Sequence, residues 1–302
     1  VSPASPSARP HRPLAAIGLR LIAVICLSVM FIAVRLADAR GVHIVESLFY
    51  RQALALPVAA LWIAMTTGVG SFRTSRVGAH ATRMIVGLTG MILNFLSYIL
   101  LLPAEAVTIG FTMPIFATIL SALILHEATG IHRWSAVLLG FVGVIIMVRP
   151  DAGHFPATGV AVALAGALFT ASVSLILRQL SRTENSGTIV FWFTLLSLPP
   201  LGVAMLFYGQ AHDAATWGLL ILIGVAGGIA QICMTAALRW APVSVVLMMD
   251  YSSIIWTTLL GWAIWGNWPM VTTWIGAALI VASGLYITWR EQIRARRLTS
   301  TQ

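Results

Sequence analysis

Residues 87–127 read GLTGMILNFLSYILLLPAEAVTIGFTMPIFATILSALILHE. Two apolar runs, 83–102 and 106–125, are separated here by only Pro103, Ala104 and Glu105. About 20 apolar residues rising 1.5 Å each cross the ~30 Å hydrocarbon core of a bilayer, so each run is long enough to span it as a helix. The stretch predicts a tight helical hairpin in a membrane. It also has an echo. Gly87-x-x-Gly90, Asn94, Leu101 and Ala104 recur, in order and spacing, as Gly224-x-x-Gly227, Gln231, Leu238 and Ala241. After a small register shift, Glu127 matches Asn267 and Trp134 matches Trp274. The chain reads as two copies of one unit.

Composition agrees with the hairpin. Hydrophobic residues make up 59% of the 302 residues and charged residues 9%, whereas soluble domains carry about 25% charge. The fold class expected is an all-α membrane protein. The formal net charge of +9 comes from arginine alone. These arginines sit at the ends of apolar runs, so they speak of membrane topology rather than of nucleic acid. Cys26 and Cys233 lie inside apolar runs and read as small buried residues. Arg9 to Arg20, then 21–34 and Ala37-Asp38-Ala39, have the outline of a signal peptide. Removing that segment would leave the first copy one helix short of the second.

Ten spans follow from the apolar runs: 14–36, 45–66, 83–102, 106–125, 131–149, 157–179, 188–208, 216–238, 243–265 and 271–290. Residues 1–13 are expected to be disordered and 291–302 to form a cytoplasmic tail. The first repeat is 14–150 and the second 157–290. Five spans per repeat make the second enter the membrane from the opposite side, an inverted-topology plan common among secondary transporters. With both termini cytoplasmic, only Arg35, Arg40, Arg51 and Arg149 fall on the outer side. That is the positive-inside bias of a bacterial inner (plasma) membrane protein.

The pattern Pro103-Ala104-Glu105-Ala106, Pro114-Ile115-Phe116, His126-Glu127, Gly140-Phe141-Val142-Gly143 and Arg149-Pro150 resembles the drug/metabolite transporter superfamily, in its ten-helix EamA-type branch. Arg51 also matches that pattern. In the second copy Tyr251 stands where the first has a proline, and Asn267 where an acidic residue is usual. The resemblance implies a transporter of small metabolites, often an exporter of amino acids. YddG-type exporters of aromatic and other amino acids are the nearest functional guess.

Intramembrane polar residues mark candidate sites, because an ionisable group at membrane depth costs roughly 2.5–3.5 kcal/mol on insertion scales. Asp250 reads either as a proton- or ammonium-binding group or as the ion-pair partner of Arg20, Arg178 or Arg239. Asn94 and Gln231, each seven residues past a repeat-matched glycine, read as lining one central cavity, with interhelical bonding as the other reading. Tyr98, Tyr251, Phe31, Met113 and Met234 are candidates to shape its apolar part. Glu46 and Arg51 read as side chains that snorkel outward or pair with neighbours. Pro57, Pro114, Pro199 and Pro200 are candidate kinks.

No phosphate loop, metal-ligand spacing or nucleophile elbow is present, so no enzyme activity, cofactor, catalytic residue or metal is expected. The expected partners are a small-molecule substrate and the lipid bilayer, with the chain acting as a monomer. The reading is export of small metabolites, amino acids including aromatic ones, by alternating access. The alternatives are transport of a nucleoside-like or methylated metabolite, or a non-transporting protein such as a lipid scramblase.

Overall fold

The computed structural model describes residues 13–66, 68–124, 131–148, 156–240 and 249–299. Its helices are α1 (Pro13–Asp38), α2 (Ile44–Thr66), α3 (Val77–Leu100), α4 (Pro103–Gly110), α5 (Met113–Ile124), α6 (Ile131–Val148), α7 (Ala157–Leu180), α8 (Ser186–Tyr208), α9 (Ala214–Trp240), α10 (Ser253–Trp265) and α11 (Val271–Thr299). Short 3-10 turns at Val69–Phe72 and Met249–Ser252 precede α3 and α10. Among the described residues, 8 spans are long and apolar enough to cross a membrane, with α4 and α5 together making one of them. The apolar part of α6 is shorter, Trp134–Val148. The outward faces are apolar: Leu123, Leu138, Ile145, Leu206 and Phe207 are all exposed, as suits a surface solvated by lipid rather than water.

The sequence spans correspond to this architecture with three differences. α3 starts at Val77, not at residue 83, because 77–82 continues the helix beyond the apolar run and carries the buried His80. The fourth span is broken at Phe111 and Thr112, where the Thr112 hydroxyl donates to the Ile109 carbonyl at 2.7 Å and Pro114 follows. α11 continues past Arg290 to Thr299, since the arginine-rich end is composed of good helix formers. The N-terminal segment, His126-Glu127, Arg149-Pro150, the 151–154 loop and the start of the ninth span lie outside the described residues.

Packing follows the repeat. α1 packs on α9, and their respective counterparts α7 and α3 pack on each other; α2 packs on α8, and α6 on α11. Exchanging the repeats maps this set of interfaces onto itself, which is the pseudo-two-fold relation of an inverted repeat. α6 and α11 meet backbone to backbone. A β-carbon on Gly276 would lie 2.5 Å from the Gly143 carbonyl oxygen, and one on Gly143 would lie 2.9 Å from the Gly276 carbonyl oxygen. Ser283 adds a buried bond to the Ala136 carbonyl at 2.6 Å. Small residues thus bring two backbones together, the usual route to helix association in lipid.

Candidate functional site

A cavity of about 300 Å³ lies between α1, α2, α3, α7, α8 and α9. Its wall includes Phe31, Met91, Phe95, Asn94, Thr170, Phe193 and Gln231, together with Arg51 and Arg83. Both repeats therefore contribute, and the volume falls at the lower end of the ~300–1,000 Å³ typical of small-molecule sites.

The two arginines are positioned by glycines. A side chain on Gly87 would collide with the Arg83 guanidinium. The absence of that side chain lets Arg83 fold along its own helix and lie over the Phe193 ring at 4.2 Å. In the same way, a β-carbon on Gly227 would meet Arg51 at 3.3 Å and Met30 at 3.2 Å. Arg51 donates to the Gln52 side-chain oxygen at 2.7 Å and approaches the Met91 sulfur at 3.3 Å. Nε of Arg51, and Nε and one terminal nitrogen of Arg83, are buried without a hydrogen-bond partner among the described residues. Of the acidic residues whose side chains are described, none lines the cavity.

Asn94 and Gln231 both border this cavity. Asn94 also bonds locally: its amide nitrogen donates to the Gly90 carbonyl at 2.7 Å and to the Thr170 hydroxyl at 3.2 Å. It thus ties α3 to α7 while presenting a face to the cavity. Phe31 borders the cavity and stacks on Tyr98 with ring centres 4.1 Å apart and planes 6° apart. Tyr98 is a buried backing layer, not a wall.

The other candidates lie elsewhere. Asp250 forms a two-point ion pair with Arg20, at 2.6 and 2.5 Å, which is the pairing alternative; the Arg20 side chain is only 5% exposed and that of Asp250 37%. Tyr251 packs on Phe111 at 4.9 Å and abuts Gly284, so it links the break in the fourth span to α11 rather than facing the cavity. Met113 opens α5 just beyond the break. Met234 packs with Ala23, Ala230 and Cys233 between α1 and α9. Glu46 does not snorkel. It is fully buried and accepts a 2.7 Å bond from His212 and weaker ones from the backbone N–H groups of Gln210 and His43. Arg51 does not snorkel either. Counting along one helix sets its height; only the packing of α9 reveals the direction of its side chain.

A second cavity of about 460 Å³ sits at the end of the bundle where α1 and α3 finish, with Arg35, Glu105, Asn267 and Trp268 in its wall. Arg35 donates to the carbonyls of Tyr98 and Leu101 and lies over Trp265 at 5.1 Å. Glu105 accepts the Leu102 N–H at 3.0 Å. These charged groups fasten the ends of α1, α3 and α4 beside the second cavity.

The EamA-like transporter family matches residues 14–149 and 157–289. The chain is 33% identical over 229 residues to a riboflavin transporter of Vibrio cholerae, covering 75% of this chain and 76% of that protein. A riboflavin transporter of Rhizobium johnstonii is 30% identical over 232 residues, 76% of each chain. A pseudopaline exporter of Pseudomonas aeruginosa is 26% identical over 269 residues, 88% of this chain and 93% of the exporter. A solved crystal structure superposes with a TM-score of 0.64 at 19% identity, over 95% of this chain and 99% of its own, which supports the fold. With two matched halves that account for nearly the whole helical bundle, the chain belongs to the EamA-like transporter family and is a multi-pass membrane transporter.

Proposed function

We propose that the protein carries a small metabolite with a planar, acceptor-rich ring, of the flavin type, through the central cavity by alternating access. The observation that carries this reading is the make-up of the wall: the aromatic rings of Phe31, Phe95 and Phe193 beside the guanidiniums of Arg51 and Arg83. An isoalloxazine ring offers flat faces for the former and carbonyl and ring-nitrogen acceptors for the latter. The names of two relatives, riboflavin transporters, support the same class. The pseudo-two-fold bundle supports rocking of one half against the other around the site.

Export of aromatic amino acids is the second reading. Its support is that a guanidinium suits an α-carboxylate. Against it, the ammonium group would find no carboxylate in the described wall, because Asp250 is held by Arg20. In either case we expect both termini on the cytoplasmic side, from the arginine bias, and a monomeric unit, since one chain encloses the cavity. Counterflow in proteoliposomes tests the substrate. Exchange of a flavin, riboflavin or its phosphate, with none for tryptophan or phenylalanine, is expected; exchange of amino acids without any flavin replaces the first reading with the second.

A further inference from the structure

We propose that the ligand of the central cavity carries an anionic group, a carboxylate or a phosphate, held between Arg51 and Arg83. This rests on the cavity being the substrate site and adds the charge of the substrate.

The chain treats its buried cations in two ways. Arg20 is neutralised by Asp250. Arg35 spends its donors on two main-chain carbonyls and a tryptophan face at the rim of the second cavity. Arg51 and Arg83 differ from both. Their only described partners are neutral: an amide oxygen and a thioether for Arg51, and a phenyl ring for Arg83. A ring beneath a guanidinium offsets only part of what such a charge costs at membrane depth. Two like charges facing one cavity add mutual repulsion.

The acidic residues with described contacts are engaged elsewhere: Glu46 with His212, Glu105 with the Leu102 N–H, Glu184 with Thr74, Asp213 with the Thr216 N–H, and Asp250 with Arg20. The cavity wall therefore holds uncompensated positive charge, with three donor nitrogens of these two side chains buried and unpartnered among the described residues. A carboxylate or phosphate supplies both the charge and the acceptors, and guanidiniums bind such groups through paired, charge-assisted bonds. Asn94 and Gln231 stand on the same wall to hold the polar atoms next to it.

The test uses purified full-length protein and two probe pairs in which a carboxylate is exchanged for a primary amide of the same shape. One pair is 10-carboxymethylflavin and its carboxamide; the other is tryptophan and tryptophanamide. For whichever scaffold binds, the carboxylate should bind at least about tenfold more tightly than the amide. Arg51→Gln and Arg83→Gln should each reduce that ratio, and the double variant should bring it near one. If the wild-type ratio is one or less on every scaffold that binds, the anion proposal falls, and the flavin reading stands where a flavin is among those that bind. If tryptophan exceeds tryptophanamide and neither flavin binds, the flavin reading falls and the anion proposal stands. A preference that survives in a folded double variant overturns the assignment to these arginines. The wild-type ratio decides the charge question even if a variant fails to fold.

Discussion

Aligning α2 and α8 on Pro57 and Pro199 brings Arg51 of the first repeat opposite Phe193 of the second. Aligning α3 and α9 on their glycine pairs sets Arg83 against Leu220 and Asn94 against Gln231. Arg51, Arg83 and Phe193 all reach the cavity, whereas Leu220 is buried in the core beside Met30 and Phe95. The repeats thus share their glycines and amides but not their charges. The first repeat brings guanidiniums to the centre, and the second brings a ring on which one of them rests. Duplicated shape builds the cavity, and divergence at matched positions gives it a chemical preference. An inverted repeat with identical halves would present the same group above and below its axis; this one presents a cation and a platform.

The shared half of that comparison is broken most severely at the α6–α11 contact. Gly276→Leu would drive its side chain into the Gly143 carbonyl and Met147, 2.5 and 2.6 Å from the new β-carbon. Backbone at that distance has no rotamer by which to yield, so loss of monodisperse protein on size exclusion is expected. A variant as stable as wild type would mean that the two backbones are not held together.

Asp250→Asn comes next, since it leaves Arg20 buried and unpaired. Breaking a buried pair costs about 3–5 kcal/mol, and the exposure of Asp250 reduces this to about 1–3 kcal/mol. Thermal unfolding should shift down and recover in part when Arg20→Gln is added. An unchanged unfolding temperature with transport abolished would return Asp250 to the transport path.

Phe193→Leu sharpens the comparison by removing the platform beneath Arg83. Substrate affinity should fall by up to about thirtyfold, matching a desolvated cation–π contact of about 2 kcal/mol. An unaltered Kd would show that the ring only fills space. The smallest effects belong to the matched amides. Asn94→Leu and Gln231→Leu should each weaken binding by about two- to tenfold, as for one hydrogen bond, with expression intact. Asn94→Leu should also cost some stability, because Asn94 bonds to Thr170; Thr170→Val measures that part alone. A loss of binding in neither variant would leave the amides as interhelical ties.

Much of the architecture was legible because it depends on local quantities. Apolar run length gives the spans, and the recurrence of Gly87-x-x-Gly90 and Asn94 as Gly224-x-x-Gly227 and Gln231 gives the repeat. The family pattern in residues 103–150 gives the class. Of the candidates drawn from the sequence, Asn94, Gln231 and Phe31 border the cavity, and the repeat itself marked the first two. Asp250 drew notice for its depth, but ion pairing across 230 positions leaves no local trace. Arg51 and Arg83 looked interfacial because each lies within a few turns of a helix end.

The sequence by itself therefore determined the membrane, the apolar spans and their grouping into two inverted halves, since hydrophobic length and periodicity are properties of the chain. Which arginines are neutralised and which remain open to a ligand was decided only by tertiary structure. A guanidinium on a long, flexible stem goes where neighbouring helices leave room. Here that room is made by Gly87 on the arginine's own helix and by Gly227 on a helix from the other repeat.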